Sequence, residues 1–422
     1  AGGRNKLVRV DVIADAAKPI DLGAQAPDFG PMASADGSTL ALVIDGALWR
    51  LPLGADGQPA GAPELLLDEL AESPAWSADK QQLLALTQRG LEVLPVNAAA
   101  ASGSVRNPAL QSVAAAGTGR KLVHAGRVFT GDGDEYLRDV DIVIDGDRIV
   151  SVAAHAPHPA AMPVIDAGAH AVLPGLIDHH VHFEGHKGEV VGRSLLAYGI
   201  NTVVEPGGLP YESREHFEAW RSGRRTGPRL VYAGPQLDGR AKVFHFATHV
   251  TSVERLRREL GRADRLDYGM LKTYTRLAPE LQRTAVMLAH QHGLRVSSHA
   301  VLRNIGNGGD RSEHLRGSSR LEYSDKQSAI LKSYADIEQT LTQARASITP
   351  TIVNQGGFFG YLLNHPELAK NRQYVSLYSA AYRNNLATFT GIVERQTQLL
   401  EAGLTNAHET ILRLHNNGVR IV

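Results

Sequence analysis

The sequence predicts an α/β protein: a TIM-like (β/α)8 barrel preceded by a small β-sandwich unit and a partial N-terminal β-propeller. Three observations predict it. After Gly175, strand-like and helix-like segments alternate to the chain end, which is the pattern of a parallel sheet with crossover helices. Before that point, short strand-like runs recur at an offset of 43 residues, as between Asp36 and Asp79. Histidines and one lysine stand at or just past the ends of the later apolar runs, where a parallel barrel gathers its chemistry. The expected boundaries are 1–117 for the propeller part, 118–174 for the sandwich unit and 175–422 for the barrel.

At 422 residues the chain is long enough for two or three domains. Its 43% hydrophobic and 21% charged residues describe an ordinary globular composition. Lys+Arg and Asp+Glu are both 44, so no net field draws it to nucleic acid or to an anionic membrane. No apolar run reaches the roughly 18 residues of a membrane span. There are no cysteines, so any metal must be held by nitrogen and oxygen. The first residue is Ala, which leaves room for a removed leader.

Taken in order, Ser34-Ala35-Asp36-Gly37 precedes the run Thr39 to Ile44, and Ser77-Ala78-Asp79-Lys80 precedes Leu83 to Thr87. Pro31 and Pro74 share the offset. A period near 40–45 residues with four short strands per unit is the signature of propeller blades. Only about two such units fit here, whereas a propeller needs at least about four, so the chain is expected to begin inside a larger one. A small all-β domain with a chance repeat is the alternative. Residues 97–119 are rich in Ala, Gly and Ser, as a linker or an edge segment would be. Strands follow at 121–126, 140–146 and 148–152, with Asp145-Gly146-Asp147 as a hairpin turn signal, and at 164–168 and 171–175.

In the barrel, strands are expected at Leu176–His182, Thr202–Glu205, Arg229–Ala233, Gly269–Tyr274, Leu294–His299, Ser312–His314, Ser347–Val353 and Val419–Val422, the eighth cut by the chain end. Helices are expected at Val190–Tyr198, Ser213–Ser222, Val253–Arg262, Pro279–His292 and Ile337–Arg345. Pro279 falls in a first helical turn, where its missing N–H costs nothing.

The chemistry rests on Asp178-His179-His180-Val181-His182, then Lys272, His299 and His314. A His-x-His pair on a strand points both rings to one face, and imidazoles converging from several strands make a divalent metal site. An ammonium cannot ligate a cation, so Lys272 fits only as a neutral amine or as a carbamate formed with CO2. The alternative is a lysine that pairs with a substrate carboxylate.

Here a resemblance becomes specific. Pro174-Gly175-Leu176-Ile177-Asp178-His179-His180-Val181-His182 resembles the first-strand motif of the amidohydrolase superfamily. Glu313-His314-Leu315-Arg316-Gly317-Ser318-Ser319-Arg320, the close spacing of His299 and His314, and Pro350-Thr351 with Gln355-Gly356-Gly357-Phe358 are similar to a branch that carries an N-terminal TolB-like propeller. The resemblance implies that His180 and His182 bind the more buried of two zinc ions. It implies that carbamylated Lys272 (N6-carboxylysine) bridges them and that His299 and His314 hold the second. Water activated by the metal would hydrolyse a C–N bond in an amide, dipeptide or cyclic amide. The family takes its catalytic Asp from the end of strand eight. That position would lie beyond Val422, so the chain as it stands is expected to be inactive, since loss of a general acid–base typically costs about 10²–10⁴ in rate. The branch also implies an extracytoplasmic (periplasmic or secreted) location.

Other residues are weighed individually. Asp178 either orients an imidazole or caps a turn. Tyr274, Arg276 and His245 are candidates to touch substrate, with a surface Arg and a solvated loop His as the plainer readings. His290 and His292 sit near a helix end and are not ligands. The expected partner is a small-molecule or peptide-like substrate, with no nucleic acid and no membrane, and an oligomer is left open. Two other functions stay open: a binding protein whose propeller recognises a partner beside a vestigial barrel, and a mononuclear deaminase-like enzyme.

Overall fold

The structure is a computed structural model. It describes residues 7–11, 16–20, 32–34, 36–79, 81–95, 104–106, 113–159, 161–183, 189–239, 244–315, 333–352 and 397–422, with isolated positions between 365 and 384. Arg316–Arg320 of the sixth-strand motif, Gln355–Phe358, and much of the Ala/Gly/Ser segment lie outside the described residues. The chain divides into two compact units, one of Ala1–Leu110, Glu205–Ser213 and Val231–Val422, the other of Gln111–Val204 and Arg214–Leu230.

The first unit opens with the antiparallel pair β1 (Leu7–Asp11) and β2 (Ala16–Ile20). Two antiparallel four-stranded meanders follow. One contains β3 (Met32–Ala33), β4 (Thr39–Ile44), β5 (Ala47–Pro52) and β6 (Glu64–Leu67). The other contains β7 (Ala71–Trp76), β8 (Gln82–Thr87), β9 (Gly90–Pro95) and β10 (Ser104–Arg106).

The 43-residue repeat is a repeated turn. Ser34 Oγ donates to Asp36 Oδ1 at 2.6 Å and accepts from Thr39 N at 3.0 Å. Ser77 Oγ donates to Asp79 Oδ1 at 2.6 Å and accepts from Gln82 N at 3.0 Å. Each Asp side chain also takes a backbone N–H two residues on, from Ser38 and from Gln81, as Asx turns do. Ala41, Val43 and Leu48 of the first sheet share a core with Ala71, Leu83, Ala85 and Leu94 of the second.

The second unit holds one four-stranded sheet, in the order β13-β12-β11-β14, where the sequence predicts a sandwich. Its strands are β11 (Arg120–Val128), β12 (Leu137–Asp145), β13 (Arg148–Ala154) and β14 (Val164–Val172). Gly146, at φ +60°, makes the predicted hairpin turn between β12 and β13. The core is one-sided: Ala125, Val128, Val140 and Ile142 are buried together. Ile149 and Ile165 are exposed, so among the described residues no second sheet covers the outer strands. Then come β15 (Leu176–Asp178), α1 (Glu189–Ala197), β16 (Ile200–Glu205), α2 (Pro210–Arg221) and β17 (Arg229–Tyr232). The strands β15, β16 and β17 lie side by side in one sheet.

The chain then returns to the first unit as a seven-stranded parallel sheet in the order β19-β18-β20-β21-β22-β23-β24. Its strands are β18 (Gln236–Asp238), β19 (Ala247–His249), β20 (Met270–Thr273), β21 (Arg295–Ser298), β22 (Arg311–Glu313), β23 (Ser347–Thr349) and β24 (Arg420–Ile421). The helices are α3 (Val253–Arg265), α4 (Pro279–Gln291), α5 (Val301–Ile305), α6 (Ala335–Gln343) and α7 (Thr397–Asn416). Ser252 caps α3 by accepting from Arg255 N at 3.0 Å, and Pro279 opens α4. The helices α5, α6 and α7 cover β23 with Val301, Ile337, Leu341, Ala407 and Leu414 packed around Ile348.

The predicted strands four to eight appear in order, as β20 to β24. The expected single ring does not: among the described residues the barrel strands fall into two sheets. β19, outside the expected strands, pairs with β18 in parallel, while Gly269 N, just before β20, donates to Tyr232 O at 3.0 Å.

Candidate metal centre

The predicted ligands fall into two groups, one in each unit. In the second unit, strand β15 is shorter than expected and ends at Asp178, so His180 and His182 follow it rather than end it. Val181 N still donates to Val204 O at 3.0 Å, holding the segment to β16. The two rings lie 5.1 Å apart, edge to face. Asp178 Oδ1 accepts from His180 N at 3.0 Å, a turn-capping contact with backbone.

In the first unit the sheet register brings three residues to the C-terminal strand ends. Lys272 and Ser297 are partners across β20 and β21, as are Thr273 and Ser298, which places His299 one step beyond. Ser298 is in turn the partner of Ser312 in β22, and His314 follows that strand with φ +63°. His314 N donates to Thr349 O at 2.7 Å, and its Nδ1 contacts Thr351 Oγ1. The rings of His299 and His314 are 4.6 Å apart at 88°. The ring of Tyr274, buried, lies 4.6 Å from that of His299, tilted by 56°.

Lys272 is 0% exposed, and its Nζ makes no hydrogen bond among the described residues. Burial pushes its pKa down from 10.5 to about 7; the Glu313 carboxylate opposes the shift and the Arg311 guanidinium adds to it. Glu313 is itself fully buried, and Arg311 Nε donates to its Oε1 at 2.7 Å. This Arg–Glu pair beside the lysine was not anticipated. Its only sequence signal is the period-two spacing of Arg311 and Glu313 on one short strand.

The substrate candidates separate. Arg276 donates its backbone N–H to Asp238 Oδ1 at 3.1 Å and approaches Oδ2 with Nη1 at 3.4 Å. Asp238 is fully buried, which raises its pKa against the hydrogen bonds from Gly239 and Arg276. Arg276 is thus engaged by the protein. His245 is exposed and lines a cavity of about 150 Å³ with Glu72, Phe246, Arg255 and Arg262. Lys272, His299 and His314 do not line that cavity. His290 pairs with Asp310 and His292 with Asp264.

Within the first unit, the imidazoles of His299 and His314 are nitrogen donors of the kind that borderline divalent cations take, and the Lys272 amine has no hydrogen-bond partner among the described residues. Sequence reasoning missed a further group. His124, Asp141 and His155 place ligand atoms within 4.8 Å of one another. His124 and Asp141 sit opposite each other across β11 and β12, a pairing legible only once the register is known.

No family model matches the chain. Over 75 residues it is 39% identical to imidazolonepropionase of Streptomyces avermitilis, a stretch covering 16% of this chain and 18% of that protein. Over 109 residues it is 36% identical to dihydroorotase of Staphylococcus aureus strain Mu50, covering 24% of each. The chain therefore spans less than a quarter of the length of these curated relatives. Among solved structures it is similar to a Xaa-Pro dipeptidase with bound methionine in the active site, with TM-score 0.51, 18% identity and coverage of 72% of this chain and 78% of that one. It is equally similar to a solved amidohydrolase, with TM-score 0.51, 19% identity and coverage of 72% and 77%. These structural likenesses show an α/β fold of the TIM-barrel kind, whose ring is not closed among the described residues.

Proposed function

We infer that this chain is an amidohydrolase-superfamily enzyme that hydrolyses a C–N bond at a divalent metal centre held by His180, His182, Lys272, His299 and His314. One observation carries the reading: the buried Lys272 Nζ without a hydrogen-bond partner among the described residues, beside strand ends that bear the His299–His314 pair. Leaving a polar group buried and unpaired costs about 1–3 kcal/mol, which is wasteful unless another group completes it. The relatives and neighbours, named as imidazolonepropionase, dihydroorotase and dipeptidase, are hydrolases of C–N bonds and support the same class.

We assign Lys272 as N6-carboxylysine. A pKa of about 7 leaves much of the amine neutral at neutral pH, and only the neutral amine attacks CO2. Its lone pair forms the N–C bond, one proton leaves to solvent, and the product carries a carboxylate able to ligate two zinc ions. His180 and His182 would hold one ion, His299 and His314 the other. When bound, such metals lower the pKa of water toward about 7 and polarise a carbonyl. This chain's own residues then orient and enclose. Thr351 fixes the His314 ring through its Nδ1 contact. Tyr274 buttresses His299, and the Arg311–Glu313 pair walls the lysine. Of the substrate candidates, Tyr274 is the best placed, because it touches His299.

The substrate class is an amide, dipeptide or cyclic amide. The two N-terminal meanders with their repeated Ser–Asp turn support a TolB-like pair of propeller blades, and that branch suggests an extracytoplasmic setting. The test is His180→Ala in the full-length protein. Zinc content should fall and hydrolysis of dipeptide and cyclic-amide substrates should vanish. Unchanged zinc and turnover would discard the assignment.

A further inference from the structure

We propose a second, separate metal site in the small β-sheet of the second unit, formed by His124, Asp141 and His155 and selective for a zinc-like divalent cation. It goes beyond the hydrolytic centre and shares no residue with it.

The site is built by the sheet. His124 on β11 and Asp141 on β12 are direct cross-strand partners, so both side chains stand on one face. That face is opposite the one carrying Ala125, Val140 and Ile142 into the core. His155 arrives from the end of β13, where its backbone N–H donates to Asp139 O at 2.8 Å. His124 Nδ1 lies 3.1 Å from Asp141 Oδ1, and His155 Nδ1 lies 2.9 Å from the same oxygen and 3.1 Å from Oδ2. The two rings are 4.2 Å apart. Asp141 is 9% exposed, His124 20% and His155 38%, a graded opening from a buried carboxylate to solvent. Gly168, beside His124, makes room for the ring: a Cβ there would sit 3.3 Å from Nε2.

These spacings suit a metal. A tetrahedral zinc with bonds of about 2.0–2.1 Å keeps neighbouring ligand atoms roughly 3.3 Å apart, so small ring rotations would admit the ion between the two Nδ1 atoms and Oδ1. Two imidazoles and one carboxylate favour Zn, Cu or Ni over Mg or Ca. The Ala156 N–H, 3.1 Å from Asp141 Oδ2, would remain to steady the carboxylate. Bound there, the cation joins β11, β12 and the segment after β13, so its effect is to lock the sheet.

The experiment is a zinc titration by equilibrium dialysis on the metal-stripped whole chain, as wild type, His155→Ala, Asp141→Asn and His180→Ala. His155→Ala and Asp141→Asn should each lose one zinc equivalent or bind it at least about 10-fold more weakly, while His180→Ala keeps that equivalent. The circular dichroism of each variant is compared with wild type. His155 is the most open of the three, so its removal should leave the fold intact. In wild type, zinc should also shift the ring NMR signals of His124 and His155. Zinc stoichiometry and affinity unchanged in both His155→Ala and Asp141→Asn, or no shift of those signals, overturns the site. Loss of metal in His180→Ala alone, with both other variants unchanged, would likewise overturn this site while leaving the hydrolytic centre standing.

Discussion

Two regions of the first unit bury charged side chains completely, and they treat them in opposite ways. On α3, Glu259 is clasped by Arg255 Nη2 at 2.8 Å and by Arg262 Nη2 at 2.5 Å. Arg262 continues to Glu72 on β7, and Ser252 Oγ donates to Asp45 Oδ2 at 2.5 Å. Burial opposes ionisation of Glu259, but the two guanidiniums win and hold its pKa below the ordinary value. At Lys272 burial wins, because among the described residues no group hydrogen-bonds its nitrogen and the Glu313 carboxylate opposes the shift only in part. Equal burial thus yields a permanent ion in one place and a titratable amine in the other. The first arrangement fastens the N-terminal sheets to α3. The second leaves a nucleophilic nitrogen waiting for a partner.

The sharpest way to break this contrast is Glu259→Ala. It should cost about 3–5 kcal/mol in urea unfolding, because buried Arg255 loses its counter-ion and buried Arg262 one of two. A cost under about 1 kcal/mol would show that the network is not holding the sheets. Lys272→Ala comes next. In the full-length protein, hydrolysis should fall at least about 100-fold and recover in part with added short carboxylates. Wild-type activity without rescue would remove Lys272 from the site.

The pH dependence sharpens the difference further. Without CO2 and metal, folded Lys272 has a pKa of about 7 against an ordinary 10.5. Between those values the unfolded chain binds more protons than the folded one, so wild-type stability should rise with pH, by at most about 1.4 kcal/mol per unit. Below pH 7 both states are protonated and this dependence is flat. Lys272→Met should lack the rise in chemical unfolding measured across the same window, and a parallel rise in the variant would assign it elsewhere. The smallest effect belongs to Arg258→Ala. Arg258 reaches Asp68 and Asp45 at a partly exposed edge, so its loss should cost less than about 1 kcal/mol in the same assay.

Much of this was legible in the sequence, for reasons that differ by element. Helices α1 to α4 and α6 were readable because apolar periodicity and end signals agree, as with Pro279 at the start of α4, whereas α5 and α7 were not read. Strands β20, β21, β23 and β24 were readable as apolar or β-branched runs, and β22, Arg-Ser-Glu, by its place in the alternation. The Ser–Asp repeat was readable because one turn chemistry recurs. What failed was non-local. Nothing in Ala247-Thr248-His249 says that three residues after a loop will add to β18, and that addition decides how the sheet ends. The 118–174 segment reads as alternating strands, but alternation cannot say whether a second sheet covers the outer face. At the candidate centre, residue types and strand ends named His299, His314 and Lys272, and the register brings the two imidazoles together. The Arg311–Glu313 pair and the His124–Asp141–His155 cluster depend on cross-strand neighbours, which no linear spacing reveals. His245 and Arg276 were chosen by position after a strand, and their contacts turn them toward a different cavity and toward Asp238.

The central claim is that the Lys272 amine is completed by CO2. Bicarbonate labelled with an NMR-active carbon isotope, added to the zinc-loaded protein, should give one protein carbamate resonance that disappears in Lys272→Ala. No carbamate resonance in the wild type, or one that survives the substitution, would contradict it.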